Sequence, residues 1–213
     1  MLEKMDRFFE ARLEGYEEHM RTAIEGAEEF YPFTASLLPP GHILDLGCGT
    51  GLELNWYFAR HPDARVTGID LSAGMLQALR EKFPDKDLHL IQGSYFTVPL
   101  QADCYDGAVS VESLHHFTQE EKLPLYRHLR EALKPGACFF LTDYFAPDEA
   151  YERFYRSELL RLKAEQGITD DDFYHYDTPL TVAHETEVFR AAGFTTIEIL
   201  GQWGCTLTLK ATK

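Results

Sequence analysis

The sequence lacks a long apolar run, a basic cluster and any close pair of cysteines, and each absence narrows what the chain does. No stretch of its 213 residues approaches the about 20 apolar residues needed to cross a bilayer, so no membrane role is expected. The N-terminus is charged and has no signal-peptide apolar core. Cys48, Cys104, Cys138 and Cys205 are scattered without a C-x-x-C pair, which points to a reduced cytoplasm. Lys and Arg number 20 against 35 Asp and Glu, a formal charge of −15. Such a surface repels phosphate backbones and anionic lipid, so nucleic acid and membranes are not expected partners. Small molecules and proteins remain, and a homodimer stays open.

What is present is the composition of a globular chain, 45% apolar and 26% charged, of a length that favours one α/β domain with an appendage. The appendage is residues 1–41. Leu2, Met5, Phe9, Leu13, Tyr16 and Met20 recur at spacings of three and four, a helical stripe that Gly15 or Gly26 should break. "PFTASLLPPG" then closes the arm. From residue 42 to 213 strands and helices alternate. "HILDL", "RVTGID", "LHLIQ", "GAVSV" and "ACFFLTDY" are strand candidates, with helices expected around 51–61, 73–83 and 119–134. "LKPG" is expected to end the last of these. A further helix over about 148–165 opens an insert that runs to 180 through "GITDDDFYHYDTPLT", followed by a helix near 181–192. "FTTIEIL" and "WGCTLTLKA" are too close for a helical crossover and should pair antiparallel, turning at Gly201 and Gln202. The fold class expected is Rossmann-like, doubly wound α/β, with a mostly parallel seven-stranded sheet, an antiparallel last strand and an N-terminal helical arm.

The loop "LGCGTG" after the first strand carries Gly47, Gly49 and Gly51. Those glycines let the chain turn tightly and let a ligand approach the main chain. Crevices of this kind hold dinucleotides or S-adenosylmethionine. The dinucleotide fingerprint G-x-G-x-x-G/A fails in both registers, meeting Leu52 or Leu54 where a small residue is required. The loop is flanked by Asp45 and Glu53, with no Lys or Arg from Pro39 to Phe58. Carboxylates favour a sulfonium carrying an α-amino group over a pyrophosphate. Asp70, at the end of the second strand, can accept from ribose hydroxyls in either ligand.

Here the chain resembles the class I S-adenosylmethionine-dependent methyltransferases. "LDLGCGTG" is similar to that family's first motif, "VTGIDLS" to its second, "DGAVSVESLHHF" to its fourth and "LKPGACFFLTDY" to the strand that follows. The resemblance implies S-adenosylmethionine as cofactor and a small-molecule acceptor. It places Asp45 and Gly47 against the methionine moiety, Cys48, Gly49 and Gly51 along the loop, Asp70 on the ribose and Leu71 on the adenine. Glu112 falls where the methionine portion is touched, with Leu114 and His115 near the reaction centre. One motif departs: Ser94 stands where the family often has an acid for the adenine amino group, so Ser94 and the backbone of Tyr95 are the expected substitutes.

Methyl transfer asks the protein mainly for alignment, and for a base only where the acceptor must lose a proton. His115 and His116 are the candidate catalytic residues because they follow the fourth strand at the mouth of the crevice. Asp143, Tyr144, His175 and Tyr176 are further candidates, although Asp143 could instead cap the next turn. Cys48 is expected to pack on the neighbouring helix, since no basic residue adjoins it to activate the thiol. No metal site is expected: adjacent His115 and His116 should point apart on a helix, and His175, Asp177 and His184 show no ligand spacing. Asp170, Asp171 and Asp172 read as a solvated turn. The rival functions are a cofactor-binding regulatory protein without methyl transfer and, less favoured, an NAD-dependent oxidoreductase.

Overall fold

In a computed structural model describing residues 1–170 and 172–213, seven strands form one sheet. Asp171 of the acidic triplet lies outside the described residues. The strands are β1 (His42–Leu46), β2 (Arg65–Asp70), β3 (Asp87–Gln92), β4 (Tyr105–Val111), β5 (Leu133–Tyr144), β6 (Thr196–Trp203) and β7 (Thr206–Thr212). Their order is β3-β2-β1-β4-β5-β7-β6. Pairs within β3-β2-β1-β4-β5 are parallel, and β7 pairs antiparallel with both β5 and β6. The expected doubly wound α/β class is what the chain adopts. Connections leave in opposite directions from β1 and β4, so a crevice opens beyond the carboxyl ends of those two strands.

Alternation along each strand divides the core. Leu44, Leu46, Phe139 and Leu141 face one side, with Tyr126 and Leu129 of α6 (Gln119–Ala132) and Phe189 of α8 (Val182–Ala192). Ile43, Val66, Val109 and Phe140 face the other. There they meet Phe30 and Tyr31 of α3 (Ala27–Leu37), Tyr57 of α4 (Leu54–Arg60) and Leu79 of α5 (Ala73–Lys82). Phe30, Tyr57 and Phe139 expose none of their surface. Each contributes roughly 2–3 kcal/mol of apolar burial. One polar group is carried inside this packing: Lys122 of α6 meets Glu185 of α8 at 2.6 Å, and Glu185 also accepts from the Tyr126 hydroxyl. α6 opens on a capping box, Thr118 accepting from the Glu121 amide while the Glu121 carboxylate accepts from the Thr118 amide.

Several expectations are corrected. The arm breaks at both glycines, giving α1 (Met5–Glu10), α2 (Tyr16–Ala23) and α3, with Gly15 and Gly26 left-handed just before α2 and α3. Most of "PFTASLLPPG" is helical, since Pro32 to Leu37 complete α3. "LKPG" lies inside β5 rather than at the end of α6, because Leu133 pairs with Tyr105. The last hairpin turns at Gly204 and Cys205, and Gly201 sits within β6 beside a register shift. A Cβ at Gly201 would come within 2.5 Å of the Trp203 ring, so that glycine marks close packing and not a turn. Cys48 lies against β2, a Cβ at Gly68 being 2.7 Å from its sulfur, within the core that α4 and α5 also line.

The insert begins with α7 (Glu149–Glu165), of which only Glu152 is buried. Glu152 accepts from the Thr181 amide at 2.7 Å and lies 2.8 Å from His184 Nδ1, which fastens the far end of the insert to α8. Its middle is tied to the arm. Lys4 and Tyr174 form a β-bridge, Met5 N–H donates to Phe173 O at 2.9 Å, and His175 N–H donates to Glu3 O at 2.9 Å.

Candidate active site

The turn after β1 is shaped by its glycines. Gly47 has φ +72° and Gly51 φ +68°, a region that side chains resist. A Cβ at Gly47 would lie 2.0 Å from Ser113 Oγ, so the main chain there passes directly beneath the segment leaving β4. The amides of Gly47 and Cys48 donate to Ile69 O, locking the turn to β2. Asp70 uses both carboxylate oxygens, accepting from the Gly49 amide and from the Ser72 amide, each at 2.9 Å. Burial raises Asp70 above its ordinary carboxylate value despite those donors.

Under the turn lie Asp45 and Glu53, both fully enclosed. Asp45 Oδ2, Glu53 Oε1 and Thr50 Oγ1 have no hydrogen-bond partner among the described residues. Burial first, and then the facing Glu53 carboxylate, pushes Asp45 well above the usual range; burial also raises Glu53. Unsatisfied buried acceptors of this kind fit a cationic, hydrogen-donating ligand, as the α-ammonium and sulfonium of S-adenosylmethionine would be. A pyrophosphate would repel them.

Glu112, just past β4, adopts φ +49°, a left-handed conformation uncommon for a residue with a side chain. Its amide donates to Thr142 O at 2.8 Å and its carboxylate accepts from Thr206 Oγ1 at 3.0 Å. Burial and the neighbouring Asp143 push its pKa up to about 7, against the opposing pull of His115. Leu114, His115 and His116 then form a single 3-10 turn. Asp143 at the end of β5 organises it. One of its oxygens accepts from the Leu114 amide at 2.8 Å, and the other lies 2.5 Å from His115 Nδ1. Asp143 therefore holds the histidine turn, and it also accepts from the Tyr144 amide at 3.0 Å at the end of its own strand. Burial would lower the His115 imidazolium, but Asp143 overrides it and the pKa stands well above the ordinary value.

A cavity of about 860 Å³ begins at Glu112 and Thr206 and reaches His115, His116 and Asp177. Its walls are aromatic: Phe8, Phe9, Tyr16, Tyr144, His175 and Trp203. Phe8 and His175 stack face to face, ring centres 3.4 Å apart. Burial, with the His116 charge next, lowers His175 to about 4, so its ring is neutral over most of the pH range. The arm closes over the cofactor turn from the same side. Glu10 accepts from Ser72 Oγ at 2.8 Å, Glu17 pairs with Lys82 at 2.8 Å, and a Cβ at Gly49 would meet only the Tyr16 ring, 3.6 Å from its hydroxyl.

Asp45, Gly47, Cys48, Gly49, Gly51, Asp70 and Glu112 thus gather around one crevice. The Ser94 hydroxyl accepts from the Phe96 amide at 3.3 Å within its own turn. Tyr95 buries its ring against Phe96 and Phe117 and brings its hydroxyl 3.3 Å from Ser113 Oγ. Leu71 is half-buried against the core. Tyr176 reaches the histidine turn through its backbone oxygen, 3.2 Å from His116 Nδ1. Sequence reasoning missed Trp203 and Thr206, whose place in the cavity was hidden by the misplaced hairpin turn. It also missed Glu10, which accepts from Ser72, and Ile24 in the cavity wall, which continues the Tyr16–Met20 spacing by four residues.

Comparison with known proteins agrees with this geometry. A profile described as a methyltransferase domain matches residues 43–136. An uncharacterized methyltransferase of Geobacillus sp. (strain WCH70) is 30% identical over 188 residues, covering 88% of this chain and 84% of that protein. Cycloartenol-C-24-methyltransferase of Arabidopsis thaliana is 26% identical over 151 residues, and there the chain spans 44% of the relative's length. Among solved structures, a SAM-dependent methyltransferase of Thermotoga maritima superposes with a TM-score of 0.69 at 17% identity, over 98% of this chain and 99% of that one. The crevice, the sheet order and these matches define an S-adenosylmethionine-dependent methyl-transfer fold. The chain belongs to the class I S-adenosylmethionine-dependent methyltransferases, with S-adenosylmethionine as its cofactor.

Proposed function

We propose that the protein methylates a small molecule held in the aromatic cavity, with residues 42–213 as the catalytic body and residues 1–41 as a cap over it. The observation that carries this reading is the continuity of the cavity, which runs from Glu112 and Thr206 at the strand ends to the His115–His116 turn. An acceptor in that space lies between the methyl-donating crevice and the only paired imidazoles facing it among the described residues. The volume suits a metabolite beside the cofactor.

The cofactor supplies a methyl group on a cationic sulfur. Asp45, with Glu53 behind it, and Glu112 are the groups that would hold its positive end; Gly47, Cys48, Gly49 and Gly51 present main chain to it. Asp70 is placed for the ribose. Leu71, Ser94 and Tyr95 border the adenine side, where the Tyr95 main chain offers an acceptor while the Ser94 carbonyl is taken by the Thr97 and Val98 amides. His115 and His116 activate the acceptor, and Asp143 positions His115. The aromatic walls exclude water and orient the acceptor for in-line attack. A cytoplasmic setting and a monomer or homodimer both suit an acidic chain whose helices are none of them long and apolar enough to cross a membrane.

The test is a screen of metabolite extracts with methyl-labelled S-adenosylmethionine. The expected result is label in a low-molecular-weight product, lost with Asp70→Ala. Label confined to protein or nucleic acid would overturn the reading. So would tight cofactor binding with no S-adenosylhomocysteine formed across varied acceptors.

A further inference from the structure

The two histidines expected to diverge do not. Their rings lie 4.0 Å apart between centres, and the insert delivers Asp177 between them. Asp177 Oδ1 is 3.5 Å from His115 Nε2 and 3.2 Å from His116 Nδ1, and the three donor atoms all lie within 4.8 Å of one another. Charge-assisted hydrogen bonds are shorter, about 2.7–2.9 Å. Ligands about 2.1 Å from a common tetrahedral ion are separated by about 3.4 Å. The spacing here is that of ligands around an ion.

We propose that His115, His116 and Asp177 bind one divalent first-row metal ion, of the zinc type, at the acceptor end of the cavity. Four further observations support it. Two imidazoles and one carboxylate leave coordination positions free, the composition of catalytic rather than structural sites. Asp143 occupies His115 Nδ1 at 2.5 Å, which fixes the ring with Nε2 outward, as outer carboxylates do for ligating histidines. All three donors line the cavity, so the free positions face the acceptor. The neighbouring trio Glu112, His115 and Asp143 does not compete, because its 2.5 Å histidine–carboxylate contact is a hydrogen bond with no room for an ion. An ion at the first trio replaces the contact of His116 Nδ1 with Tyr176 O, 3.2 Å in length.

The proposal rests on the reading that the acceptor docks at this end, and it names how the histidines activate it. An acceptor hydroxyl or thiol bound to the ion loses its proton to water more readily, and the resulting oxygen or sulfur lone pair is the nucleophile.

The test uses the full-length protein stripped with a chelator and titrated with Co²⁺ alone, followed by visible absorption and calorimetry. One equivalent should bind with a tetrahedral cobalt spectrum. Asp177→Asn and His116→Ala should each weaken binding at least tenfold, while Glu112→Gln, whose carboxylate lies 3.9 Å from the other ring nitrogen of His115, leaves it unchanged. Melting temperatures show that each variant folds. Absence of stoichiometric binding, or binding unaltered in Asp177→Asn and His116→Ala, would refute the site. Labelled-methyl turnover separates the two readings. A stripped enzyme at full rate sinks the metal's role and leaves small-molecule methylation standing, whereas cobalt bound here with no acceptor ever labelled does the reverse.

Discussion

The cofactor crevice and the acceptor cavity share a wall at Glu112 yet are built by opposite means. The crevice is main chain and short sequence: within 26 residues, Asp45 to Asp70, the chain supplies the glycine turn, the buried carboxylate pair and the acid that ends β2. The cavity is side chains from five places, the arm, the histidine turn, the end of β5, the insert and the last hairpin. A site made of backbone tolerates almost no substitution but asks little of the rest of the chain. One made of converging side chains can be retuned residue by residue, and it exists only while the pieces are docked.

The comparison breaks most visibly at Gly47. Gly47→Ala places a Cβ 2.0 Å from Ser113 Oγ at a left-handed φ, so S-adenosylmethionine binding should fall by more than about 100-fold with a lower melting temperature, read by calorimetry and a thermal scan. On the cavity side, His115→Ala should lower kcat by roughly 10²-fold or more while cofactor affinity stays within about twofold. Equal losses in both would show that the two sites are not separable. A smaller effect is expected at the cap. Phe8→Ala removes the ring stacked on His175 and should raise the acceptor KM about tenfold with kcat little changed, as steady-state kinetics would reveal.

The smallest effect sharpens the electrostatics of the crevice. Asp45 has a folded-state pKa raised above its unfolded one, so the fold binds its proton more tightly than the unfolded chain does. Its contribution is fully present below the unfolded value, about 4, and is lost as pH rises through the folded value. Without ligand, Asp45→Asn should therefore melt higher than the parent by an amount that grows with pH, while binding cofactor more weakly. A melting difference flat across pH 4–8 would show that Asp45 is not held protonated.

The same contrast explains what the sequence disclosed. β1, β2, β4 and β5 stood out as apolar runs because both faces of a central parallel strand are buried. The crevice could be placed because its residues are neighbours in sequence as well as in space. The hairpin turn was misplaced because glycine signals two things, a turn at Gly204 and close packing beside Trp203 at Gly201, and spacing alone does not separate them. The expected divergence of His115 and His116 assumed a helix. The segment is a single tight turn instead, and its third partner, Asp177, arrives from 61 residues further along, 177 against 116.

The short β-bridge between Lys4 and Tyr174 gives the first few residues an influence out of proportion to their number. They hem the insert like a drawstring, so the segment that brings Asp177 to the histidines is steadied from the opening residues as well as by its own bond from the Thr178 amide to His115 O at 2.9 Å. A substitution that breaks this bridge would therefore act on the cavity from a distance, with the glycine turn after β1 left whole.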